Sequence, residues 1–155
     1  MRFSVKLGVW MLLSLCLCLE AWSATTPQQQ LQSISDAVSD GTIREIDILA
    51  IPKATVPKSE VTPAILQRDF QCKVILRDLQ LTRRGLVRAL GNTQASSEAQ
   101  PVGLRRGVLF VDAGGHVKYS IYLDSFGQGE VNGEKAALSG EFVQWIEDRL
   151  PQEYW

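Results

Sequence analysis

The chain has 155 residues, a formal net charge of −1, one His and three Cys, with 45% hydrophobic and 21% charged residues. These values are ordinary for one soluble globular domain, and they exclude a collagen-like, low-complexity or fully disordered chain. Three Cys are too few for a disulfide-dense scaffold. A net charge near zero argues against non-specific nucleic-acid binding, which requires a strong positive field.

The N-terminus has the layout of a secretory signal peptide. A basic start with Arg2 and Lys6 is followed by an apolar run over residues 7–19 and by the small residues Ala21 and Ser23. The apolar run is shorter than the about 20 residues that a membrane-spanning helix needs. We therefore expect an export signal that is cleaved after Ser23, and no stable membrane anchor after cleavage.

Removal of residues 1–23 would leave residues 24–155 as one domain, with Cys72 as its single thiol and no intrachain disulfide. Secreted eukaryotic domains of this size usually contain disulfides and often contain Asn-x-Ser/Thr glycosylation sequons. Neither Asn92 nor Asn132 begins such a sequon. The sequence therefore predicts a bacterial protein that is periplasmic or secreted.

The first elements of the domain are a predicted helix and a predicted strand. Thr26 is a suitable N-cap and Pro27 a suitable first residue, so we expect an amphipathic helix from there to Gly41. Residues 42–51 are rich in β-branched and aliphatic side chains and predict a strand. The charged residues Glu45 and Asp47 are expected to face outward from it.

A second helix–strand–helix series is expected next. Thr62 followed by Pro63 repeats the cap-and-proline pattern and predicts a helix to about Asp69, and residues 70–79 predict a strand. Thr82 is the expected N-cap of a third helix that ends near Gly91. Residues 93–103 are rich in Ser, Ala and Gln, so they are expected to form a flexible surface loop.

The C-terminal part predicts a β-meander and a last helix. Residues 107–124 have the period-2 pattern of a β-hairpin, Asn132-Gly133 is a two-residue turn, and residues 134–138 return as a strand. Ser139 is the expected N-cap of a C-terminal helix that Pro151 terminates. The whole pattern predicts an α+β fold, a single small domain with a mostly antiparallel sheet packed against amphipathic helices.

The chain offers few candidates for chemistry. His116 follows Asp112 by four residues, and the pair could supply a general base, but Asp in a turn commonly binds the local backbone, which is the favoured interpretation. Cys72 lies in an apolar stretch and is expected to be a small buried hydrophobe rather than a nucleophile. The sequence predicts no catalytic residues, no metal site and no cofactor, and therefore a protein that is not an enzyme.

A binding function is the leading hypothesis. We expect an exported protein that acts by protein–protein contact, most concretely an immunity or inhibitor protein against an envelope-acting toxin or lytic enzyme. The proposed contact is a glycine-containing loop over residues 126–133, although a plain hairpin connection explains the same pattern. The expected partner-binding residues are Phe126, Gly127, Gln128, Gly129, Glu130 and Asn132, with Asp112 and His116 from the neighbouring turn.

Two alternatives remain open. One is an envelope accessory or small-ligand binding protein with a pocket between the sheet and the last helix. The other is a small hydrolase that uses Asp112, His116 and Asp124. Neither the identity of the partner nor the oligomeric state follows from the sequence.

Overall fold

A computed structural model of the protein describes residues 25–55 and 59–154, so the predicted signal peptide lies outside the described residues. The helices are α1 (Pro27–Ser39), α2 (Pro63–Asp69), α3 (Leu79–Gly91) and α4 (Glu141–Glu147), followed by a 3₁₀ turn at Gln152–Tyr154. The strands are β1 (Ile43–Ala50), β2 (Cys72–Leu76), β3 (Thr93–Ser96), β4 (Arg106–Asp112), β5 (Val117–Leu123), β6 (Gln128–Val131) and β7 (Glu134–Gly140).

The seven strands form one sheet in the order β2-β1-β4-β5-β6-β7-β3. Every neighbouring pair is antiparallel. Strands β4 to β7 are consecutive neighbours and form the predicted meander, while β2 and β3 are the two edges. Helix α3 connects these edges and therefore crosses the sheet. The predicted α+β class, the antiparallel sheet and the C-terminal helix are confirmed.

Local signals determine α1. The Thr26 hydroxyl accepts a hydrogen bond from the Gln29 backbone N–H at 3.3 Å, and the Gln29 side chain accepts one from the Thr26 N–H at 2.9 Å. This capping box satisfies two donors at the helix start. Gly41 follows the helix with φ +82°, the left-handed conformation expected of a terminating glycine. The buried face of α1 carries Leu31, Ile34 and Val38.

The sheet has a core on each face, of unequal extent. The larger core lies between one face and helices α1, α3 and α4, and it includes Phe110 and Ile121, both fully buried. The smaller core lies on the opposite face beside α2, where Leu66 packs near Leu109 and Tyr122. Because α2 packs against β1 and β4, the described helices leave this opposite face open over β6, β7 and β3.

Helix α3 begins earlier than predicted. Thr82 is not its N-cap, because the Asp78 carboxylate accepts a hydrogen bond from the Gln80 backbone N–H at 3.1 Å and caps a helix that starts at Leu79. The extra residues place Leu79 in the main core. As a result β2 ends at Leu76 and is shorter than the strand predicted over residues 70–79.

Two further predictions are wrong near the start of α4. Thr93–Ser96 is not part of a loop but forms β3, paired with β7. Ser139 lies in β7, and the N-cap of α4 is Gly140, which makes no side-chain cap bond. The cap is supplied from a distance, since the Thr93 hydroxyl accepts a hydrogen bond from the Phe142 N–H at 2.9 Å.

Candidate functional site

The part of the sheet that no described helix covers carries a broad, shallow concavity of about 490 Å³. We name it the Phe126 face. It lies over β3, β6 and β7, and it is lined on one side by Gln94, Ser96 and Glu98 and on the other by Phe126, Gln128 and Ala137. An open concavity of this kind suits contact with another macromolecule better than enclosure of a small ligand.

Phe126 stands at the rim of this face on a tightly held turn. Its side chain is 75% exposed. The preceding Asp124 is buried, and its Oδ1 accepts hydrogen bonds from the backbone N–H groups of Phe126 at 2.7 Å and Gln128 at 2.9 Å. The other carboxylate oxygen accepts from the Val102 N–H at 3.1 Å. The backbone at Phe126 is therefore fixed while its ring remains in solvent.

Gly127 completes the turn. It has φ +79°, and a Cβ atom at this position would lie 2.6 Å from the Leu138 carbonyl oxygen. Only glycine combines this conformation with this close approach. Gly127 therefore positions Phe126 against β7 and does not itself supply a contact group.

The floor of the Phe126 face is made of small and polar side chains. Ser96 and Ala137 are cross-strand partners, and so are Gln128 and Ala137. At the rim the Gln128 side chain accepts a hydrogen bond from the Gln100 backbone N–H at 2.7 Å, which ties the β3–β4 connection to β6. Among the residues described as lining the face, Glu98 is the one charged residue. The face is thus shallow, mostly neutral and acidic at one margin.

The edge of β3 beside this face is closed. The Gln28 side chain of α1 donates a hydrogen bond to the Thr93 carbonyl oxygen at 3.3 Å and accepts one from the Ala95 N–H at 2.8 Å. These are the backbone groups that an added strand would use. A partner would therefore meet the Phe126 face from above the sheet and not by extending it at β3.

The structure divides the predicted binding residues between two ends of the sheet. Residues 126–133 are not one loop, because Gln128–Val131 is the strand β6 between two turns. Phe126 and Gln128 lie on the Phe126 face, and Glu130 follows along β6. Gly129 is structural, since a Cβ atom there would lie only 1.8 Å from the Tyr122 carbonyl oxygen.

Asn132, Asp112 and His116 lie in the turns at the other end of these strands, away from Phe126. Asn132 has φ +50° and accepts a hydrogen bond from the Ser120 N–H at 2.8 Å, so its side chain supports the turn. Asp112 Oδ1 accepts from the N–H groups of Gly114 at 2.8 Å and His116 at 2.9 Å. These bonds, above all the one from His116, hold the pKa of Asp112 below its usual value.

The hydrolase hypothesis does not match this arrangement. The His116 Nδ1 lies 3.5 Å from Asp112 Oδ1, but its ring is 80% exposed. Asp124 follows the far end of β5, and seven strand residues separate the two aspartates by about 20 Å. Asp112, His116 and Asp124 therefore cannot act on one substrate atom, and both carboxylates serve local turns.

Glu45 and Asp47 form ion pairs, and Cys72 is partly buried. The Glu45 carboxylate pairs with Arg77 at 2.8 Å. Asp47 does not face outward as predicted, because it is 7% exposed and pairs with Lys73 of β2 at 2.8 Å. Cys72 is half-buried, and burial, with a smaller contribution from nearby Glu153, raises the pKa of its thiol and disfavours the reactive thiolate.

A second concavity lies between α3 and α4. It has a volume of about 440 Å³ and is lined in part by Leu81 and Trp145. The Arg149 guanidinium carbon lies 3.7 Å from the centre of the Trp145 ring. The predicted pocket between the sheet and α4 is not seen in the described residues, because Phe142 and Ile146 fill that contact and are fully buried.

Comparison of the chain with protein-family models, curated proteins and solved structures finds no match in any of the three. Within residues 25–55 and 59–154, no helix has the length and apolar character needed to cross a membrane. The same residues contain no cluster of three or more His, Cys, Asp or Glu side chains that could hold a metal ion.

Proposed function

We propose that this protein is exported to the periplasm and acts by binding another protein through the Phe126 face. In its most concrete form it is an immunity or inhibitor protein directed against an envelope-acting toxin or lytic enzyme. The observation that carries the proposal is Phe126, a large aromatic side chain that is 75% exposed on a turn fixed by Asp124. Aromatic side chains dominate the energetics of protein interfaces, and a fixed backbone lowers the entropy lost on binding.

Occlusion is the mechanism that fits this surface. The Phe126 ring enters a cleft of the target, and the small side chains of Ser96 and Ala137 on the shallow floor allow the target surface to approach closely. Glu98 at the margin favours a target with basic residues around the cleft, because complementary charge increases the association rate. The inhibitor then acts by excluding substrate, without chemistry of its own.

The export component of the proposal rests on the N-terminal leader and on the low cysteine content. Mass spectrometry of the protein recovered from the producing cell tests it directly. We expect a mature chain that begins at Ala24. An intact N-terminus, or recovery in the cytoplasm alone, contradicts export.

The inhibitory component is tested by titrating the protein into assays of purified lytic enzymes and toxins, beginning with those encoded beside its gene. We expect stoichiometric inhibition of one target by the unmodified protein and its loss in Phe126→Ala. The matched control is Leu81→Ala, because Leu81 is also a highly exposed apolar residue but lies on α3, away from the Phe126 face in the fold. Failure with every target, or equal inhibition by both variants, contradicts the proposal.

The α3–α4 concavity supports a second candidate, an envelope accessory or small-ligand binding protein. Arg149, whose guanidinium lies over the buried Trp145 ring, places a cation at this concavity, which suits an anionic group. Under this alternative Arg149→Ala abolishes ligand binding while Phe126→Ala leaves it unchanged. If Phe126→Ala loses binding while Arg149→Ala keeps it, the result supports the inhibitor proposal instead.

A further inference from the structure

The two edges of the sheet differ in how they are protected. Gln28 closes the outer side of β3, whereas β2 has β1 on one side and no described strand on the other. The core-facing residues Cys72, Val74 and Leu76 of β2 are half-buried, while their cross-strand partners in β1 are buried completely. The core is therefore incomplete along β2.

The sequence of β2 contains little that would prevent a strand from adding to it. Edge strands are commonly blunted by proline, bulges or charges. Here the strand is Cys-Lys-Val-Ile-Leu, and its one charged residue, Lys73, pairs with Asp47 of its own sheet at 2.8 Å. On the same face as Lys73, Ile75 is 41% exposed. Apolar side chains thus remain accessible on both faces of the edge.

We infer that β2 pairs antiparallel with β2 of a second copy of this chain, with the two-fold axis at Val74. The charges of the strand select this register. With the axis at Val74, Lys73 lies opposite Ile75 of the second copy and Cys72 opposite Leu76, so no like charges lie directly opposite each other. An axis at Lys73 would oppose two lysines, and an axis at Ile75 would oppose Lys73 and Arg77, both of which are unfavourable.

The dimer is isologous, since each copy contributes the same strand. Its two Val74 side chains face each other between the pairs of Cys72 and Leu76, and this completes the apolar row on the core-facing side. The interface lies at the β2 edge of the sheet, whereas the Phe126 face lies near the β3 edge. The Phe126 faces of both copies would therefore remain accessible in the dimer. The inference is independent of the proposed function, and each can fail alone.

Disulfide trapping tests the register. Residues opposite each other in antiparallel strands have Cα atoms about 4.5 to 5.5 Å apart, within the range that a disulfide accepts. We therefore expect Val74→Cys, made in a Cys72→Ser background, to give a disulfide-linked dimer under mild oxidation. Peptide mapping should join position 74 to position 74. Lys118→Cys in the same background is the matched control, because Lys118 is an exposed position on the interior strand β5, and it should give no disulfide-linked dimer.

Sedimentation of the otherwise unmodified protein provides a second measurement that does not depend on these variants folding. We expect a dimer at about 100 μM. The fraction of monomer should increase as the protein is diluted, as mass action requires. Ile75→Lys places a cation opposite Lys73 and should give a monomer, whereas Ile75→Thr should keep the dimer. A monomer at the highest concentration, equal trapping at positions 74 and 118, or a dimer unaffected by Ile75→Lys overturns the inference.

Discussion

The substitution Thr93→Val tests how the last helix is joined to the sheet. The Thr93 side chain is 1% exposed, and its hydroxyl makes two bonds between distant elements. It donates to the Ala89 carbonyl oxygen of α3 at 2.7 Å and accepts from the Phe142 N–H of α4 at 2.9 Å. Valine has nearly the same shape, so the change removes both bonds and leaves the packing in place.

The expected loss follows from the two bonds. Removing a helix cap costs about 1 kcal/mol. A second intramolecular hydrogen bond contributes about 1 kcal/mol, and buried groups left without partners add to the loss. We therefore expect Thr93→Val to lower the free energy of unfolding by about 2 to 3 kcal/mol, a large part of the 5 to 15 kcal/mol typical of a domain. The corresponding fall in Tm is roughly 8 °C.

Thr93→Ser is the matched control, because serine keeps the hydroxyl and loses one methyl group, at a cost of about 1 kcal/mol. Urea unfolding followed by circular dichroism measures both variants, with equal m-values as the condition for comparing them. The valine variant should be the less stable of the two. If it is as stable as the serine variant or more stable, the hydroxyl does not join α3 to α4 in the way described.

The remaining predictions concern the turns, the sheet edge and the half-buried carboxyl group of Glu130. Gly127→Ala should cost more than about 2 kcal/mol in urea unfolding, because the new Cβ would meet a carbonyl oxygen, whereas Gly133→Ala, in open space at φ +84°, should cost about 1 kcal/mol. Gln28→Ala should speed hydrogen exchange of the Ala95 amide about tenfold, as measured by NMR, because that amide loses its acceptor. Burial raises the pKa of Glu130, so its ionised form is disfavoured in the folded state, and Glu130→Gln should raise Tm at neutral pH.

Each of these has a result that would contradict it. Equal losses from Gly127→Ala and Gly133→Ala would show that the close approach to β7 is not required. Unchanged exchange at Ala95 would mean that Gln28 does not close the β3 edge. The gain from Glu130→Gln should vanish as the pH falls below the pKa of the unfolded carboxyl group, about 4.3, and a gain that persists there would exclude ionisation as its cause.

Elements whose signals are local could be predicted from the sequence. The start of α1 depends on Thr26 and Gln29, which are three residues apart, and its end depends on Gly41. The β4–β5 hairpin is similarly determined by its alternating faces and by the turn that Asp112 stabilises. In both cases the residues that form the structure are neighbours in the chain.

Elements whose partners are distant could not be predicted. β3 contains no large apolar residue, and it is a strand because β7 pairs with it and Gln28 covers its outer edge. The cap of α4 comes from Thr93 rather than from the nearby Ser139. The local sequence pattern therefore predicts a loop at residues 93–96 and a cap at Ser139, and the tertiary structure replaces both.

The same difference between local and distant signals applies to the candidate site. Phe126 was predicted because its neighbourhood is rich in turn residues, and the Asp124–Gly127 turn has the residues that such a turn favours. The sequence pattern does not indicate Gln94, Ser96 and Glu98, because they come from a segment that it predicts to be a flexible loop. The sequence predicts Asp112 and His116 as contact residues together with Phe126, but the length of β5 separates them from it. Proximity in space required the sheet order, which the sequence pattern does not contain.

The most direct test of the central claim is the calorimetric Kd of the protein and two variants for the target it inhibits. If the Phe126 face is the contact surface, Phe126→Ala should weaken binding by tenfold or more, about 1.4 kcal/mol or above. Leu81→Ala should bind as the unmodified protein does. A Phe126→Ala variant that binds with unchanged affinity, while Leu81→Ala binds more weakly, would contradict the claim and place the contact at the concavity between α3 and α4.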